Sequence, residues 1–315
     1  MDSSETSFGP VRVIPGHRGS RFPACTSIFI DDDVKVLVDP GAGPGPLGEL
    51  TRRERIDIVI NTHYHFDHIA YNYLFDGAKI LLNEKEAQCF RRREHIGSLL
   101  GMEEVYGRDW VAGWLSRISR PDTAPSPFSP QNNHRWWLST ARLDGTYAWD
   151  EVLDFGRVTV HAVGAPGHSA GFTCLHFPRE GIVYTGDLDL TDFGPWYGGT
   201  DGDIDLFIDS ARKVAALDAH TFITGHEKGI ASREEFTTGL GAFLSIIEKR
   251  DALILGKLSQ PRTLRELSEM GLIYDRKFLI DEWIFMWNEI MVKKHLSRLV
   301  RNGLVVEVEE GFVAR

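Results

Sequence analysis

The sequence has few cysteines and no long hydrophobic run. Its three cysteines are widely spaced and form no Cys-x-x-Cys pair, so a disulfide framework is excluded and reduced thiols are expected. No apolar run approaches the roughly 20 residues that a membrane-spanning helix needs. The polar residues 1–9 also lack the charged and then apolar pattern of a secretory signal. We therefore expect a soluble, cytoplasmic protein with no membrane partner.

Positive charge is also scarce. The 315-residue chain has 35 Lys and Arg against 45 Asp and Glu, which gives a formal net charge of -10. A chain this acidic repels polyphosphates on average, so a small-molecule substrate is favoured over a nucleic acid. Hydrophobic residues make up 42% of the chain and charged residues 25%, a mixture typical of a globular protein with a large core.

The hydrophobic pattern divides the chain into two parts. Residues 1–250 alternate between short β-rich runs and helical patterns, and we interpret them as one main domain. Residues 251–315 predict helix, helix, helix and hairpin, the order of a winged-helix unit. This second part holds ten Lys and Arg and ten Asp and Glu, so it lacks the basic surface of a nucleic-acid reader. Its Trp and Phe residues predict packing against the main domain or against a second subunit, which would form a homodimer.

Residues 84–150 interrupt the main domain as an insertion. The first part, residues 84–100, has a helical pattern. The stretch 105–149 is irregular and holds five of the eight Trp of the chain, at positions 110, 114, 136, 137 and 149. Two interpretations stay open, since the insertion is either a lid over an active site or a purely structural excursion.

The most informative segment is the sequence HYHFDH at residues 63–68, which directly follows the pattern of a buried strand. His63 and His65 can point to one side of an extended turn, and Asp67 and His68 then reach the other side of a small space. Imidazole and carboxylate are ligands suited to zinc, iron or manganese. Because histidines this close repel one another when charged, a cation between them is expected. The segment therefore predicts a metal site.

Further candidate ligands each follow a glycine. They are His168, Asp187 and His226. Glycine lets the backbone turn sharply before each of these residues. Asp187 and His226 also come directly after an apolar run that predicts a strand, and functional sites of layered folds are commonly found at strand ends. Asp39, at the end of the run 34–38, has two open interpretations: it hydrogen-bonds to a ligand histidine, or it serves the Asp-Pro-Gly turn.

Together these motifs resemble the metallo-β-lactamase superfamily over roughly residues 11–230. The resemblance implies an α+β fold, the αββα sandwich, with two divalent metal ions on one edge. The implied ligands are His63, His65 and His168 for the first ion, Asp67, His68 and His226 for the second, and Asp187 as the bridge between both. Zinc is the expected metal, with iron and manganese as alternatives, and no other cofactor is expected.

A carboxylate at the bridging position resembles the glyoxalase II, lactonase and ribonuclease branches. The implied reaction is hydrolysis of a small thioester, ester or lactone by a metal-bound hydroxide, with the residual positive charge of the site stabilising an anionic transition state. Asp67 would also orient the nucleophile. Tyr197 would donate to the oxyanion, or it would simply pack within its aromatic loop. That loop, residues 192–199, is expected to line the mouth of the site as an apolar wall that favours an acyl or aromatic substrate.

Two other activities stay open within the resemblance. One is a metal-dependent phosphodiesterase or ribonuclease, which the neutral charge of residues 251–315 disfavours. The other is an oxygenase similar to persulfide dioxygenases, with one iron held by His63, His168 and Asp187. The presence of the complete second ligand set favours two ions over one.

Overall fold

The computed structural model describes residues 6–117, 126, 128 and 142–315, which form two β-sheets, a hairpin and the surrounding helices. The strands are β1 Thr6–Phe8, β2 Val11–Ile14, β3 Ser27–Ile30, β4 Val36–Val38, β5 Ile58–Asn61, β6 Lys79–Asn83, β7 Gly145–Tyr147, β8 Val152–Asp154, β9 Thr159–Gly164, β10 Thr173–Phe177, β11 Ile182–Gly186, β12 Thr221–Thr224, β13 Ile230–Ser232, β14 Val305–Val308 and β15 Gly311–Ala314. The α-helices are α1 His17–Ser20, α2 Pro44–Arg53, α3 Phe66–Ile69, α4 Ala87–Arg91, α5 Arg93–Leu99, α6 Met102–Tyr106, α7 Arg108–Arg117, α8 Ile204–Ala215, α9 Arg233–Leu255, α10 Leu264–Glu269 and α11 Glu282–Arg301. Short 3-10 helices span Asn72–Leu74, Glu84–Glu86 and Arg276–Phe278.

The two sheets each contain a parallel pair that brings loops to one edge. The first sheet has the strand order β1 to β7, and the second has the order β13-β12-β11-β10-β9-β8. Strands β4 and β5 are parallel in the first sheet, and β11 and β12 are parallel in the second. The loops that leave these four strands at their carboxyl ends therefore have a common edge, which is where sites gather in such folds.

The alternation of side chains along the strands produces the layers. In β3, Ile28 faces the core between the sheets, whereas Phe29 packs on the outer face. In β11, Tyr184 faces the core between the sheets, whereas Val183 packs on the outer face against Phe207 of α8. Helices therefore cover both outer faces, and the predicted αββα sandwich is confirmed.

The C-terminal region shares its core with the rest of the chain. In α11, Trp283 and Trp287 belong to the core that covers the first sheet, whereas Leu296 and Leu299 pack with the residues near α10 and β14. The aromatic residues of this region thus pack against the main domain, one of the two options that the sequence left open. The predicted boundary at residue 250 falls inside the continuous helix α9.

The insertion is more regular than the sequence predicts. The expectation of irregular structure over residues 105–149 is wrong for α7 and for β7, which extends the first sheet as an edge strand parallel to β6. The pattern hides α7 because only Val111 and Trp114 are buried in it, too few for a clear helical period. The predicted helix over 84–100 is also interrupted, since Arg92 has an extended backbone. Trp136 and Trp137 lie outside the described residues.

Within the described residues, no helix has the length and hydropathy that crossing a membrane requires.

Candidate metal centre

Strands β5, β11 and β12 end at the common edge, as does β9, which runs in the same direction as β11 because both pair antiparallel with β10, and each of the four is followed by a predicted ligand. These ligands are His63 after β5, His168 after β9, Asp187 after β11 and His226 after β12. Gly167 has a φ of +122°, and a Cβ there would lie 2.2 Å from the backbone nitrogen of Phe207. Only glycine fits this close approach, which explains why a glycine precedes this ligand.

The segment 63–68 turns its ligands to two sides. His65 has an extended backbone, with φ -63° and ψ 142°, and α3 begins at the next residue. This single helical turn carries Asp67 and His68 away from His63 and His65. All four side chains are buried, so their polar atoms need partners within the protein or a bound ion.

Three histidines and one carboxylate oxygen converge in a first cluster. The Nε2 atom of His168 lies 3.2 Å from Nε2 of His63 and 2.8 Å from Nδ1 of His65. The same Nε2 atom lies 3.1 Å from Oδ2 of Asp187. These four residues are the three predicted ligands of the first ion and the predicted bridge.

A second cluster lies beside the first. The Nε2 atom of His226 lies 3.3 Å from Nε2 of His68 and 3.3 Å from Oδ2 of Asp67. The Oδ1 atom of Asp187 lies 2.8 Å from Nε2 of His68 and 3.5 Å from Nε2 of His226. The two oxygens of Asp187 therefore face different clusters, as a bridging ligand requires.

Backbone carbonyls fix where two of the imidazole protons lie. The Nδ1 atom of His168 faces the carbonyl oxygen of Trp196 at 2.9 Å. The Nδ1 atom of His226 faces the carbonyl oxygens of Ser20 and Ala24 at 3.0 and 3.1 Å. Because a carbonyl only accepts, each Nδ1 donates a hydrogen, and Nε2 is the ring atom left to bind an ion.

Asp39 fixes two more of the five clustered imidazoles, His68 directly and His63 through Thr62. Its Oδ2 atom lies 2.8 Å from Nδ1 of His68 and also accepts from the hydroxyl groups of Thr62 and Tyr184. Since the Thr62 hydroxyl donates to Asp39, its oxygen accepts from Nδ1 of His63 at 3.0 Å. Asp39 therefore hydrogen-bonds to a ligand histidine, and it also begins the turn, because Gly41 donates to its carbonyl oxygen.

The resulting geometry fits a metal ion in each cluster. The Nε2 atoms of His63 and His168 lie 3.2 Å apart and those of His68 and His226 lie 3.3 Å apart, and each pair lies beside an oxygen of Asp187, as ligands of one ion would. Burial, followed by the charge of His68, lowers the pKa of His63 well below its ordinary value. Burial and the charge of His168 lower the pKa of His65 in the same way, so both rings are neutral and able to bind a metal.

Glu86 joins the two loops that carry the first cluster. Its Oε2 atom accepts from the backbone N–H of Tyr64 at 2.8 Å, between two ligand histidines. Its Oε1 atom accepts from the backbone N–H of Gly171 at 2.8 Å and lies 2.5 Å from Oγ of Ser169. Burial, with the charge of Asp201 adding to it, raises the pKa of Glu86 to about 8. A carboxyl group placed here at such a cost positions the ligands of the first cluster.

Replacing Glu86 with alanine is expected to weaken metal binding by about 10- to 100-fold, the range typical of residues that orient ligands. The change leaves two buried N–H groups unpaired, at about 1–3 kcal/mol each. Glu86→Gln keeps one acceptor and is expected to lie between alanine and the wild type. Competition with a chromophoric chelator measures the affinity, and Glu84→Ala, an exposed neighbour, is the control. Unchanged affinity in Glu86→Ala would remove the positioning role.

A largely aromatic cavity opens above the two clusters. It has a volume of about 360 Å³, and His65, Asp67, His168, Asp187 and His226 form its floor. The loop at residues 192–199 lines it with Asp192, Phe193, Gly194 and Trp196, so the loop lies at the site, as the sequence predicts. The C-terminal region contributes Tyr274, Ile284 and Trp287, and the predicted insertion contributes Leu100 and Phe128.

Tyr197 lies outside this cavity, so the expectation of an oxyanion donor is not met. Its side chain is fully buried, and its hydroxyl lies 2.7 Å from Nε2 of His295. The Arg250 guanidinium donates to the same hydroxyl at 2.9 Å. The alternative interpretation, a tyrosine that packs within its aromatic loop, describes the structure.

Several groups that shape the centre have no signature in the sequence. The carbonyl oxygens of Ser20, Ala24 and Trp196 act through the backbone, so the identity of their side chains does not reveal them. Glu86 lies in a polar run that is typical of a solvated helix start, although the side chain is 1% exposed. The sequence indicates such a residue only indirectly: the backbone N–H between two clustered histidines is buried and therefore needs a hydrogen-bond acceptor.

Comparison with protein families gives one match that covers most of the site. A model described as "Metallo-beta-lactamase superfamily" matches residues 21–82 and 104–226. Acyl-coenzyme A thioesterase MBLAC2 from Homo sapiens is 26% identical over 182 residues, which cover 54% of this chain and 58% of that protein. A hydroxyacylglutathione hydrolase from Bartonella henselae is 32% identical over 89 residues, 28% of this chain and 34% of that protein. The matched parts thus span less than two thirds of these relatives.

Solved structures share the fold over nearly the whole chain. A metallo-beta-lactamase family protein from Thermus thermophilus superposes with a TM-score of 0.69 at 19% identity, covering 98% of this chain and 99% of that one. A beta-lactamase domain protein from Burkholderia ambifaria superposes with a TM-score of 0.64 at 16% identity, covering 98% and 92%. At these identities the similarity is one of fold alone.

Proposed function

The chain belongs to the metallo-beta-lactamase superfamily, and we propose that it is a hydrolase that uses two divalent metal ions to cleave a small thioester, ester or lactone. The names of the relatives support the thioester class, since both a thioesterase and a hydroxyacylglutathione hydrolase are among them. We propose zinc as the metal, with iron and manganese as the alternatives that a histidine and carboxylate site also accepts.

The seven clustered side chains would hold the ions. They are His63, His65 and His168 on one side, Asp67, His68 and His226 on the other, and Asp187 between them. When bound, the two ions would supply a Lewis acid and a water of pKa lowered toward ~7. In the net reaction, the oxygen of water adds to the carbonyl carbon, the C–S or C–O bond breaks, and the thiol or alcohol leaves with a proton.

The chain's own groups prepare this reaction in two ways. Asp39 and the backbone carbonyl groups accept from Nδ1 of His68, His168 and His226, so these rings already point Nε2 into the clusters and need not rotate before they bind an ion. Asp67 lines the cavity, and its Oδ2 atom lies 3.3 Å from His226, where it would orient the attacking water. The aromatic walls exclude bulk water from the reacting carbonyl.

The observation that carries the proposal is the orientation of Asp187. One oxygen faces His168 and the other faces His68, so the side chain is suited to bridge two ions. An oxygenase with one iron would use the first cluster alone. It would leave the second cluster, in which His68 and His226 lie 3.3 Å apart beside Asp67, without an ion.

A panel of substrates tests the proposal. The metal-loaded protein is assayed with a thioester, an ester, a lactone and bis(4-nitrophenyl) phosphate, and oxygen uptake is recorded with a persulfide. We expect one of the carbonyl substrates to have a kcat/KM at least ~100-fold above that of the phosphodiester, a difference of about 2.7 kcal/mol in activation free energy. Cleavage of the phosphodiester alone, or oxygen uptake with no hydrolysis, would refute it.

A further inference from the structure

The aromatic wall of the cavity is continuous from the metal ligands to the solvent. The ring of Trp196 lies 5.1 Å from that of His65 and 5.7 Å from that of Trp287. The ring of Phe22 lies 6.3 Å from that of Trp287 and 5.6 Å from that of Phe66. Phe22 is 38% exposed and therefore lies at the opening. A planar or aliphatic group placed against this wall gains apolar contact along its whole length.

The wall is held in place by the C-terminal region. The indole N–H of Trp196 donates to the hydroxyl of Tyr274 at 3.0 Å, while the carbonyl of Trp196 accepts from His168. Trp287 is only 5% exposed and belongs to α11. The surface that meets the substrate is therefore tied both to a metal ligand and to a buried helix, so it is rigid and already formed.

The charges around the opening are unfavourable for an anion. Asp192 lines the cavity, and in the described part of the chain no cationic side chain lies within ion-pair distance of it. Glu227 also lines it and faces the exposed Arg21 at 3.7 Å. Arg250 lies beneath the loop 192–199, where it donates to two backbone carbonyl oxygens. Among the residues of known position, the cavity lining contains no Lys or Arg.

We propose that the substrate is a small, uncharged ester, thioester or lactone with an apolar, preferably aromatic, group, and not a conjugate of an anionic carrier thiol. This inference rests on the proposed hydrolase function and adds the substrate class. The cavity of about 360 Å³ accepts a molecule of that size whole. A carrier with several phosphate or carboxylate groups would extend past Asp192 and Glu227, where the described lining has no Lys or Arg and the nearby Arg21 already faces Glu227.

Thioesters that differ only in the carrier give the sharpest test. Phenylacetyl thioesters of N-acetylcysteamine, coenzyme A and glutathione present the same acyl group on one uncharged and two anionic thiols. We expect kcat/KM for the N-acetylcysteamine thioester to exceed the other two at least ~10-fold. Raising the salt concentration is expected to narrow the gap, because it screens the repulsion. Equal or faster turnover of either anionic thioester would overturn the inference while leaving the hydrolase function intact. Failure of every ester, thioester and lactone would overturn both.

Substitutions at the opening locate the effect. Asp192→Lys is expected to reduce the preference for the uncharged thioester at least ~3-fold, whereas Glu310→Lys, the same charge change at an exposed turn away from the cavity, leaves the preference unchanged. An unchanged preference in Asp192→Lys would contradict the electrostatic part of the inference.

The aromatic part of the inference is tested at Phe22. Phe22→Ala is expected to raise KM for the phenylacetyl thioester of N-acetylcysteamine several-fold more than for the acetyl thioester. Phe278→Ala is the matched control, because Phe278 is 48% exposed and does not line the cavity. Equal effects of Phe22→Ala on both thioesters would contradict contact between the wall and the acyl group.

Discussion

Replacing Asp187 with alanine abolishes hydrolysis and leaves the fold largely intact, if the centre works as proposed. The side chain lies after the end of β11, and its two oxygens face the two clusters. Its loss would remove a ligand from both ions at once. We therefore expect kcat/KM to fall at least ~10³-fold, beyond the ~10- to 100-fold loss typical of residues that only orient a ligand.

The Asp187→Ala experiment needs a folding readout and a matched control. Circular dichroism is expected to show a native spectrum, because removal of this side chain leaves the buried strands of the second sheet unchanged. Asp209→Ala is the control, since Asp209 is a 76% exposed carboxylate on α8. A folded Asp187→Ala protein with full turnover would exclude the bridging role.

The His226→Ala protein is expected to bind one metal ion per chain in place of two and to lose most of its kcat/KM. The imidazole belongs only to the second cluster, where its Nε2 atom lies 3.3 Å from both His68 and Asp67. His63→Ala is the reciprocal change in the first cluster. Each variant is expected to retain about one ion per chain, and their remaining ions should differ in affinity because the ligand sets differ.

The control for both histidine variants is His220→Ala, an exposed histidine outside the two clusters. It is expected to keep the wild-type metal content and turnover. Metal content and kcat/KM are measured on the same preparations. Two ions and full turnover in His226→Ala would show that the second cluster is no metal site.

The ligand set could be predicted for two reasons: four of its residues lie close together in the sequence, and the other three follow strands whose pairing determines where they lie. The segment 63–68 places four polar groups in six residues, and the other ligands end strands that the apolar runs reveal. Parallel pairing of β11 with β12, and antiparallel pairing of both β9 and β11 with β10, then gathers these ends at one edge. Both clusters contain the residues that the sequence predicts for them.

The surroundings of the centre could not be predicted, because they depend on long-range packing. Glu86 contacts Gly171, which is 85 positions away, and Trp196 contacts Tyr274 across 78 positions. Tyr197 illustrates the same limit: its neighbour Trp196 lines the cavity, whereas its own hydroxyl turns to His295 in α11. For these two neighbours, contacts with α11 determine which side chain faces the cavity and which faces the core, and no local sequence pattern indicates such contacts.

The most direct test of the dinuclear centre is the metal content of the protein purified without added metal, measured by plasma mass spectrometry. Close to two divalent ions per chain are expected, because each cluster brings histidine Nε2 atoms within 3.3 Å of one another and the two clusters share Asp187. Close to one iron per chain, unchanged when the protein is supplied with excess zinc, would contradict a two-metal hydrolase and would favour chemistry with dioxygen.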